Sequence, residues 1–458
     1  MLIAGIVVAL VAACASPTPT PTTSPTLVAQ ASATAAPSPS AEPTITPLPS
    51  PTATPSGPEV LAPEGATMAL TDGYAATWGP SLYQAKDDPA HAGTVLVEAT
   101  NLVTGFEAGA VPMTVTTAVR VQPDEVVQPP DGFWDPATTV ATDGRTLALV
   151  VWHHVGPPGD HAVPCDGREA EPVVWRILVA PLDPRTGLLR GPFTVFASGV
   201  SRDEFLLPGQ GEGCVGPRTP RVSVSDGRIA YTVEAPQRGP SSAAAFAMHI
   251  IVRALPGGAT VRTIAVDRTV VSLAMAGRTV VFSDSDDGDA VGDPGWAVRV
   301  STDAHPAPSV LATGSQATAK SGYGQPPLVA TDGDLAAWEV LLDSSITVSG
   351  LQAGAHLMAI AVPGQTCDLG GVDGGLVSLG CTTDAWAQGL VSGDQPIMPF
   401  VWSAAGGPYP VVGGPDMILN DAPMVAGGWL VAFGGPANAA WGTAWGFSTA
   451  GWSPTPQP

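Results

Sequence analysis

Short runs of alternating apolar and polar residues follow one another along most of the chain, and glycine-containing turns separate them. The clearest copies are "ALTDGYAATW" (69–78), "VATDGRTLALVVW" (140–152), "VSVSDGRIAY" (222–231) and "LVATDGDLAAW" (328–338). Alternation with a period of two is typical of half-buried β-strands, and Asp-Gly between two such runs favours a hairpin with a type I′ turn. The pattern therefore predicts a series of antiparallel hairpins.

Weaker copies of the same pattern occur at 273–282, 371–379 and 424–433. Together the copies predict seven hairpins, with turns near residues 72, 143, 226, 276, 332, 373 and 427. Further strand pairs lie between them, as in Val173–Gly199, and no stretch has a helical period. A mean spacing of roughly sixty residues suits a repeated four-stranded unit with loops of variable length.

The repeated unit resembles the Asp-Gly unit of TolB-type, WD-repeat-like β-propellers, in which two strands flank Asp-Gly and the second ends in an aromatic residue. Thr or Ser replaces the proline that usually precedes Asp-Gly in that family. The resemblance implies an all-β fold over 59–452: a β-propeller of seven four-stranded blades, with six or eight as alternatives. A row of immunoglobulin-like sandwiches is the rival architecture, but it would repeat nearer a hundred residues. We expect a strand near 59–62 to complete the last blade and residues 453–458 to form a disordered tail.

The first 58 residues differ in character from the rest. Residues 1–13 form an apolar run of signal-peptide length, and "VAAC" at 11–14 resembles a bacterial lipobox, which implies a lipidated Cys14. No Lys or Arg precedes the run, and an ordinary signal peptide followed by a chance cysteine is the alternative. Residues 14–58 consist mainly of Ala, Ser, Thr and Pro, which predicts a disordered stalk. The expected location is extracytoplasmic, anchored to the bacterial cell membrane by lipid.

The charge of the chain limits its partners. Lys and Arg number 18 against 40 Asp and Glu, so the formal net charge is −22. Nucleic-acid binding requires a basic surface, and none is visible in the sequence. An anionic membrane would repel the folded body, so we expect membrane contact through the lipid anchor only. The expected partner is a protein, a peptide or a cell-wall glycan, bound by a monomer.

Loop length predicts a working face. With strands lettered A to D outwards from the axis, the A–B and C–D turns share one face, and the B–C and D–A connections share the other. The long insertions 153–171, 201–218, 283–295 and 382–397 all fall in B–C or D–A positions. Because loops usually carry function, this face is expected to meet the partner.

Four cysteines besides Cys14 suggest disulfides in an exported chain. Cys367 and Cys381 are equidistant from Gly374 in the sixth hairpin, which predicts that they are cross-strand neighbours. Cys165 and Cys214 lie in consecutive loops of the same face. The predicted pairs are therefore Cys165–Cys214 and Cys367–Cys381, and four free thiols are the alternative.

Two loops contain candidate ligands for a metal ion. The segment "SDSDDGDAVGD" contains Asp284, Asp286, Asp287, Asp289 and Asp293, and calcium prefers several carboxylate oxygens on a flexible loop. Its spacing does not match an EF-hand, so a solvated acidic loop is the favoured interpretation and Ca²⁺ the alternative. The second loop contains His153, His154 and His161. Neutral histidine binds transition metals, but a disulfide-pinned surface loop is the favoured interpretation and a metal site the alternative. Trp386 is a candidate for stacking on a sugar.

Catalytic motifs are missing from the sequence. It contains no G-x-S-x-G elbow, no sialidase-type aspartate box and no phosphate-binding loop. We therefore predict a non-catalytic recognition or scaffolding module. A glycan-active hydrolase or lyase using the propeller funnel, and a calcium-stabilised envelope protein, are the alternatives.

Overall fold

A computed structural model describes residues 74–101, 113–127, 140–154, 173–201, 219–234, 248–285, 295–315, 327–340, 345–352, 357–384, 397–411, 418–419, 422–435 and 443–449. Within these residues, 28 strands form seven antiparallel sheets. The predicted all-β class is thus confirmed. No helix in the described part of the chain is long and apolar enough to cross a membrane.

Each sheet is one blade, and in blades 1 to 6 consecutive strands pair in order from the centre outwards. Blade 1 comprises β1 (Tyr74–Trp78), β2 (Ser81–Asp87), β3 (Thr94–Asn101) and β4 (Met113–Arg120). Blade 2 comprises β5 (Val140–Thr142), β6 (Thr146–His154), β7 (Val173–Pro181) and β8 (Thr194–Ser201). Blade 3 comprises β9 (Val222–Ser225), β10 (Arg228–Glu234), β11 (Met248–Ala254) and β12 (Thr260–Val266). Blade 4 comprises β13 (Thr269–Ala276), β14 (Thr279–Ser285), β15 (Gly295–Thr302) and β16 (Ser309–Ser315).

The last three blades continue the series. Blade 5 comprises β17 (Leu328–Thr331), β18 (Leu335–Val340), β19 (Ser345–Gly350) and β20 (Leu357–Ile360). Blade 6 comprises β21 (Gln365–Asp373), β22 (Leu376–Thr383), β23 (Met398–Ser403) and β24 (Gly406–Pro410). Blade 7 comprises β25 (Ile418–Leu419), β26 (Met424–Ala426), β27 (Trp429–Gly435) and β28 (Thr443–Ser448). In blade 7, β25 and β26 pair with the same strand, β27, at opposite ends of it.

The innermost strands form a closed ring. Each contacts the innermost strand of the next blade, in the order β1, β5, β9, β13, β17, β21, β26 and back to β1. The ring closes where the Gly79 N–H donates to the Ala426 carbonyl at 3.0 Å. A circle of four-stranded sheets around one axis is a β-propeller, and its seven blades agree with the sequence prediction. The expected closing strand at 59–62 lies outside the described residues.

The first hairpin was predicted one strand too early. Residues Tyr74–Trp78 form the innermost strand of blade 1 and not the second, and the A–B turn is Gly79-Pro80. Gly79 has a φ of 57°, which suits the first central position of a two-residue hairpin turn, and proline's fixed negative φ suits the second. Asp-Gly at 72–73 therefore precedes the blade instead of connecting its first two strands.

The A–B turns link neighbouring blades. Asp332 Oδ1 accepts from the N–H groups of Asp334 (3.0 Å) and Leu335 (2.8 Å), whereas its Oδ2 accepts from the Gly375 N–H in the next blade (2.7 Å). Asp143 Oδ2 makes the same bond to Gly227 at 3.1 Å. The turn aspartate thus shapes its own turn and holds the next blade.

The predicted type I′ geometry is correct in blade 3, where Asp226 and Gly227 have φ of 51° and 67°. It is wrong in blades 2 and 5. There Thr142 pairs with Leu147 and Thr331 with Ala336, so the turn is longer, and Asp226 is the one non-glycine residue with positive φ in the described ranges. The aspartate of a longer turn keeps negative φ because its side chain caps the turn.

The core consists of apolar layers between blades. One layer includes Trp152, Trp175 and Ile177 of blade 2 and Ile229 and Tyr231 of blade 3, all buried. Strand β10, for example, buries one apolar face against this layer. Burial of side chains from both blades explains why each hairpin ends in a large residue.

One long connection lies on the face of the short turns, contrary to expectation. The C–D loop of blade 2 (182–193) folds over blade 1, where Tyr83 Oη donates to the Gly187 carbonyl at 2.8 Å and Asn101 Nδ2 to the Thr186 carbonyl at 2.9 Å. Burial raises the pKa of Tyr83 to about 12. This loop is part of the framework because its polar groups bond within the molecule.

The Asp332→Ala variant tests the double role of the turn aspartate. It removes three hydrogen bonds and leaves backbone donors without their acceptor, so the free energy of unfolding should fall by about 1–2 kcal/mol. Asp334→Ala is the matched control, because this carboxylate lies in the same turn and accepts none of these bonds. Equal denaturant midpoints for the two variants would contradict the interpretation.

The cysteine pair of blade 6 gives a second prediction. Cys367 and Cys381 are register partners on β21 and β22 and form a disulfide with an S–S distance of 2.04 Å, which confirms that pair. Cys165 and Cys214 lie outside the described residues, so their pairing stays a prediction. Alkylation of the unfolded, unreduced chain should leave Cys367 and Cys381 unlabelled, and labelling should appear only after reduction. Mass spectrometry measures this, and label at either residue without reductant would contradict it.

Candidate functional site

The face opposite the short turns is the loop face, formed by the B–C and D–A connections. Segments 155–172, 286–294 and 385–396 connect second to third strands, and 202–218 connects blade 2 to blade 3, as the sequence predicted. These segments lie outside the described residues, so the structure describes the strand ends that carry them. Polar side chains at those ends define the base of the candidate site.

The base beside blade 2 contains a buried ion pair. Arg176 of β7 makes two hydrogen bonds to the carboxylate of Glu125, whose side chain is fully buried. Glu125 Oε2 also accepts from the Gln122 N–H at 2.7 Å. Val126 forms an isolated β-bridge with Trp152 and so continues the line of the innermost strand, β5. This bridge fixes the segment that carries Glu125. Both carboxylate oxygens are therefore occupied by partners inside the framework.

His153 lies next to this ion pair. Its Nε2 is 3.8 Å from Asp124 Oδ2, and its Nδ1 is buried without a hydrogen-bond partner in the described part of the chain. His154 is the last residue of β6 and pairs with Val173. His161 and Trp386 lie outside the described residues. The structure thus brings one of the three predicted histidines next to a carboxylate and does not describe the imidazole of a second.

The calcium hypothesis must be corrected at Asp284. This residue belongs to strand β14, not to a surface loop, and it is fully buried. Its carboxylate hydrogen-bonds to Arg299 Nε, and Arg268 Nη1 lies 3.8 Å from Oδ1. A buried carboxylate facing two guanidiniums is an ion-pair partner and not a cation ligand. Asp286, Asp287, Asp289 and Asp293 lie outside the described residues.

Blades 5 and 6 also use their loop-face polar groups internally. Glu339 is buried, and its Oε2 accepts from the Leu369 N–H of the next blade at 2.6 Å. At the start of blade 6, the Thr366 and Asp384 side chains hydrogen-bond at 3.1 Å, beside the Cys367–Cys381 disulfide. The 385–396 loop therefore starts from a cross-linked strand end.

These contacts limit the chemistry of the described base. Glu125, Asp284 and Glu339 each interact with an arginine or a backbone donor, so none of them is free to act as a general acid or base. The described ranges also contain no group of three His, Cys, Asp or Glu side chains that could hold a metal ion. The described base thus supports the strand ends from which the loops begin.

Sequence reasoning missed the ion pairs at this face. Glu125 and Arg176 are 51 residues apart, and no repeat places them together. The isolation of Arg176 was a usable signal, because it follows "VVW" in a strand that is otherwise apolar, and such a charge requires a partner.

The chain is a β-propeller protein, as the ring of seven sheets shows. No protein-family model and no curated protein matches it. Similar solved structures include the β-propeller domain of the Trilobed protease from Pyrococcus furiosus, at 10% identity over 83% of this chain and 95% of that one, with a TM-score of 0.44.

An acylaminoacyl peptidase from Pyrococcus horikoshii is 10% identical over 82% of this chain, with a TM-score of 0.43, but the match covers only 51% of the peptidase. The periplasmic gluconolactonase of Pseudomonas aeruginosa is 14% identical over 83% of this chain and 96% of that one, with a TM-score of 0.36. These similarities do not bear on function, and the fold assignment rests on the sheet topology.

The buried Asp284 predicts a pH dependence of stability. Burial raises the pKa of this carboxyl above its ordinary value, although Arg299 and Arg268 oppose the shift. The folded state therefore binds a proton more readily than the unfolded state, so this group contributes more stability at acid pH and loses it as pH rises through the raised pKa. The stability of the wild type relative to Asp284→Asn should rise as pH falls from about 7 to about 4. Urea denaturation at each pH measures the difference, and a constant difference would contradict it.

Proposed function

We propose that this chain is a surface-anchored, extracytoplasmic recognition module whose loop face binds a protein, a peptide or a glycan. The observation that carries the proposal is the position of the long connections. Segments 155–172, 202–218, 286–294 and 385–396 all leave the same face of the ring. Binding loops held by a rigid framework are the usual way in which such scaffolds recognise partners.

The occupied carboxylates favour recognition over catalysis at the described base. A general acid or base must reach a substrate, but Glu125, Asp284 and Glu339 are buried and already have partners. Their contribution is to hold neighbouring strands and blades together beneath the loops. The enzyme alternative would therefore depend on residues of the loops themselves.

The proposed location follows from the sequence. The lipobox-like "VAAC" ending at Cys14 supports lipidation, and the stalk that follows would hold the propeller away from the membrane. The disulfide in blade 6 fits an oxidising compartment. The partner would then be a protein, peptide or glycan of the cell surface.

The 385–396 loop offers a direct test. Replacing this segment with a Gly/Ser linker of equal length keeps the cross-linked base and removes Trp386. The full chain should bind insoluble cell-wall glycan or an immobilised secreted protein, and the replacement should reduce retention at least about tenfold. Asp334→Ala is the control, because Asp334 lies on the opposite face.

Three results would count against the proposal. Retention that is absent for both classes of partner would contradict it, as would retention that is unchanged after replacement of each of the four long connections in turn. Release of soluble sugar from the glycan would favour the enzyme alternative. Thermal melts of every variant establish that a loss of binding is not a loss of folding.

A further inference from the structure

Four charged side chains meet on the turn face, between blades 3 and 4. Arg228 is the first residue of β10, and its Nη1 lies 2.9 Å from Asp303 Oδ2 and 3.2 Å from Oδ1. Arg262 Nη1 of β12 lies 3.8 Å from Asp303 Oδ1. Arg278 Nε, in the A–B turn of blade 4, lies 3.8 Å from Asp303 Oδ2. We call these three arginines and Asp303 the arginine cluster.

The arginine cluster has more positive charge than its own carboxylate can balance. Three guanidiniums, which stay protonated, face the single carboxylate of Asp303. A second carboxylate, that of Asp226, comes near: its Oδ2 is 3.4 Å from where a Cβ on Gly277 would lie. It makes no ion pair with Arg228, Arg262 or Arg278, all of which are described. Even when both carboxylates are counted, one positive charge remains in excess, in a chain whose net charge is −22.

Arg262 also has too few hydrogen-bond acceptors for its guanidinium. Its side chain is only 6% exposed, and its Nη2 donates to the Arg278 carbonyl at 3.3 Å. Its Nε and Nη1 are buried without a hydrogen-bond partner in the described part of the chain. Burial lowers the pKa of Arg262, and the positive charge of Arg228 lowers it further, although Asp303 opposes both. A buried guanidinium with unmet donors is costly unless further negative charge approaches.

The cluster is open to solvent on one side. The side chain of Arg278 is 78% exposed, whereas those of Arg228 and Asp303 are 21% and 28% exposed. An incoming anion could therefore contact Arg278 and the outer edge of Arg228, while Arg262 adds positive charge from behind. Asp303 holds Arg228 in place but competes with the anion for it.

We propose that Arg228, Arg262 and Arg278 form a binding site for a doubly charged tetrahedral oxyanion, either free phosphate or sulfate or the same group carried by a ligand. Arginine suits this chemistry because its planar fork donates two parallel hydrogen bonds to phosphate-like oxygens. A tetrahedral oxyanion also has more oxygens than a carboxylate, so it can accept hydrogen bonds from more than one guanidinium at once. The site lies on the face opposite the loops and does not depend on the proposed function.

Titration calorimetry of the full chain with inorganic phosphate, sulfate and acetate tests the site, with chloride used to match ionic strength. Phosphate and sulfate should bind saturably and more tightly than acetate. Arg278→Gln and Arg228→Gln should each weaken phosphate binding about tenfold, the effect expected for loss of a charge-assisted hydrogen bond. Arg145→Gln is the matched control, because this exposed arginine follows Asp-Gly at the corresponding turn of blade 2.

Asp303→Asn distinguishes an anion site from a purely structural network. Loss of the competing carboxylate should tighten phosphate binding about threefold or more, whereas a structural network would only lose stability. Glycerol phosphate in place of inorganic phosphate distinguishes the sources: binding of both indicates a group carried by a ligand, and binding of the inorganic ion alone indicates a free anion. The proposal would be overturned if neither phosphate nor sulfate bound saturably, or if acetate bound equally well. Unchanged phosphate binding by Arg228→Gln and Arg278→Gln variants that melt like the wild type would overturn it as well.

Discussion

The molecule depends on one constraint: the backbone groups along the inner edge of each innermost strand need hydrogen-bond partners. Such a strand pairs with its blade on one side only, so its remaining N–H and C=O groups face the neighbouring blades and the axis. Small polar side chains satisfy part of this edge: Ser223 Oγ accepts from the Met275 N–H at 3.0 Å, and Ser272 Oγ accepts from the Val329 N–H at 3.1 Å. The blades are therefore joined by hydrogen bonds to the backbone as well as by apolar layers.

Polar side chains hold the framework together in different ways at the two faces of the ring. At the turn face, an aspartate such as Asp332 could look catalytic in isolation. Its two carboxylate oxygens instead accept hydrogen bonds, one from its own turn and the other from the next blade. At the loop face, buried carboxylates pair with arginines or backbone donors. Burying a charge is unfavourable, and removing one partner of a buried pair is more unfavourable still, so these pairs fix the strand ends. The framework is thereby rigid where the connections begin.

The sequence predicts local features well because their signals are local. Six of the seven turns, the strand pairs between them and the Cys367–Cys381 disulfide follow from residues within one hairpin, the last from symmetry about Gly374. The position of a strand within its blade is not a local property. Residues 69–78 carry the same Asp-Gly signal as the other copies, yet Tyr74–Trp78 is innermost because it contacts the innermost strands of blades 2 and 7.

The candidate sites were predictable only in part, for the same physical reason. Loop length indicates a face from strand order alone, but the environment of a charge depends on neighbours distant in sequence. Asp284 belongs to an acidic run in the sequence, yet it is buried because strand β14 continues to Ser285. Arg228 and Asp303 are 75 residues apart, and no motif connects them. The excess of positive over negative charge in such a cluster can be recognised only in the folded structure, where the blades bring these residues together.

Trp78 has a consequence for the order of assembly. Its ring lies where a Cβ on Gly144 would be, at 2.1 Å from the indole, and a Cβ on Gly427 would lie 3.0 Å from the same ring. One side chain of the first blade thus fills the space between the turns of the second and the last. Because the chain is synthesised from its N-terminus, the turn of the last blade is made after the other six blades, and the packing of this indole cannot be complete before then. Closing the circle joins residues as far apart as Gly79 and Ala426, and such distant contacts form late in folding.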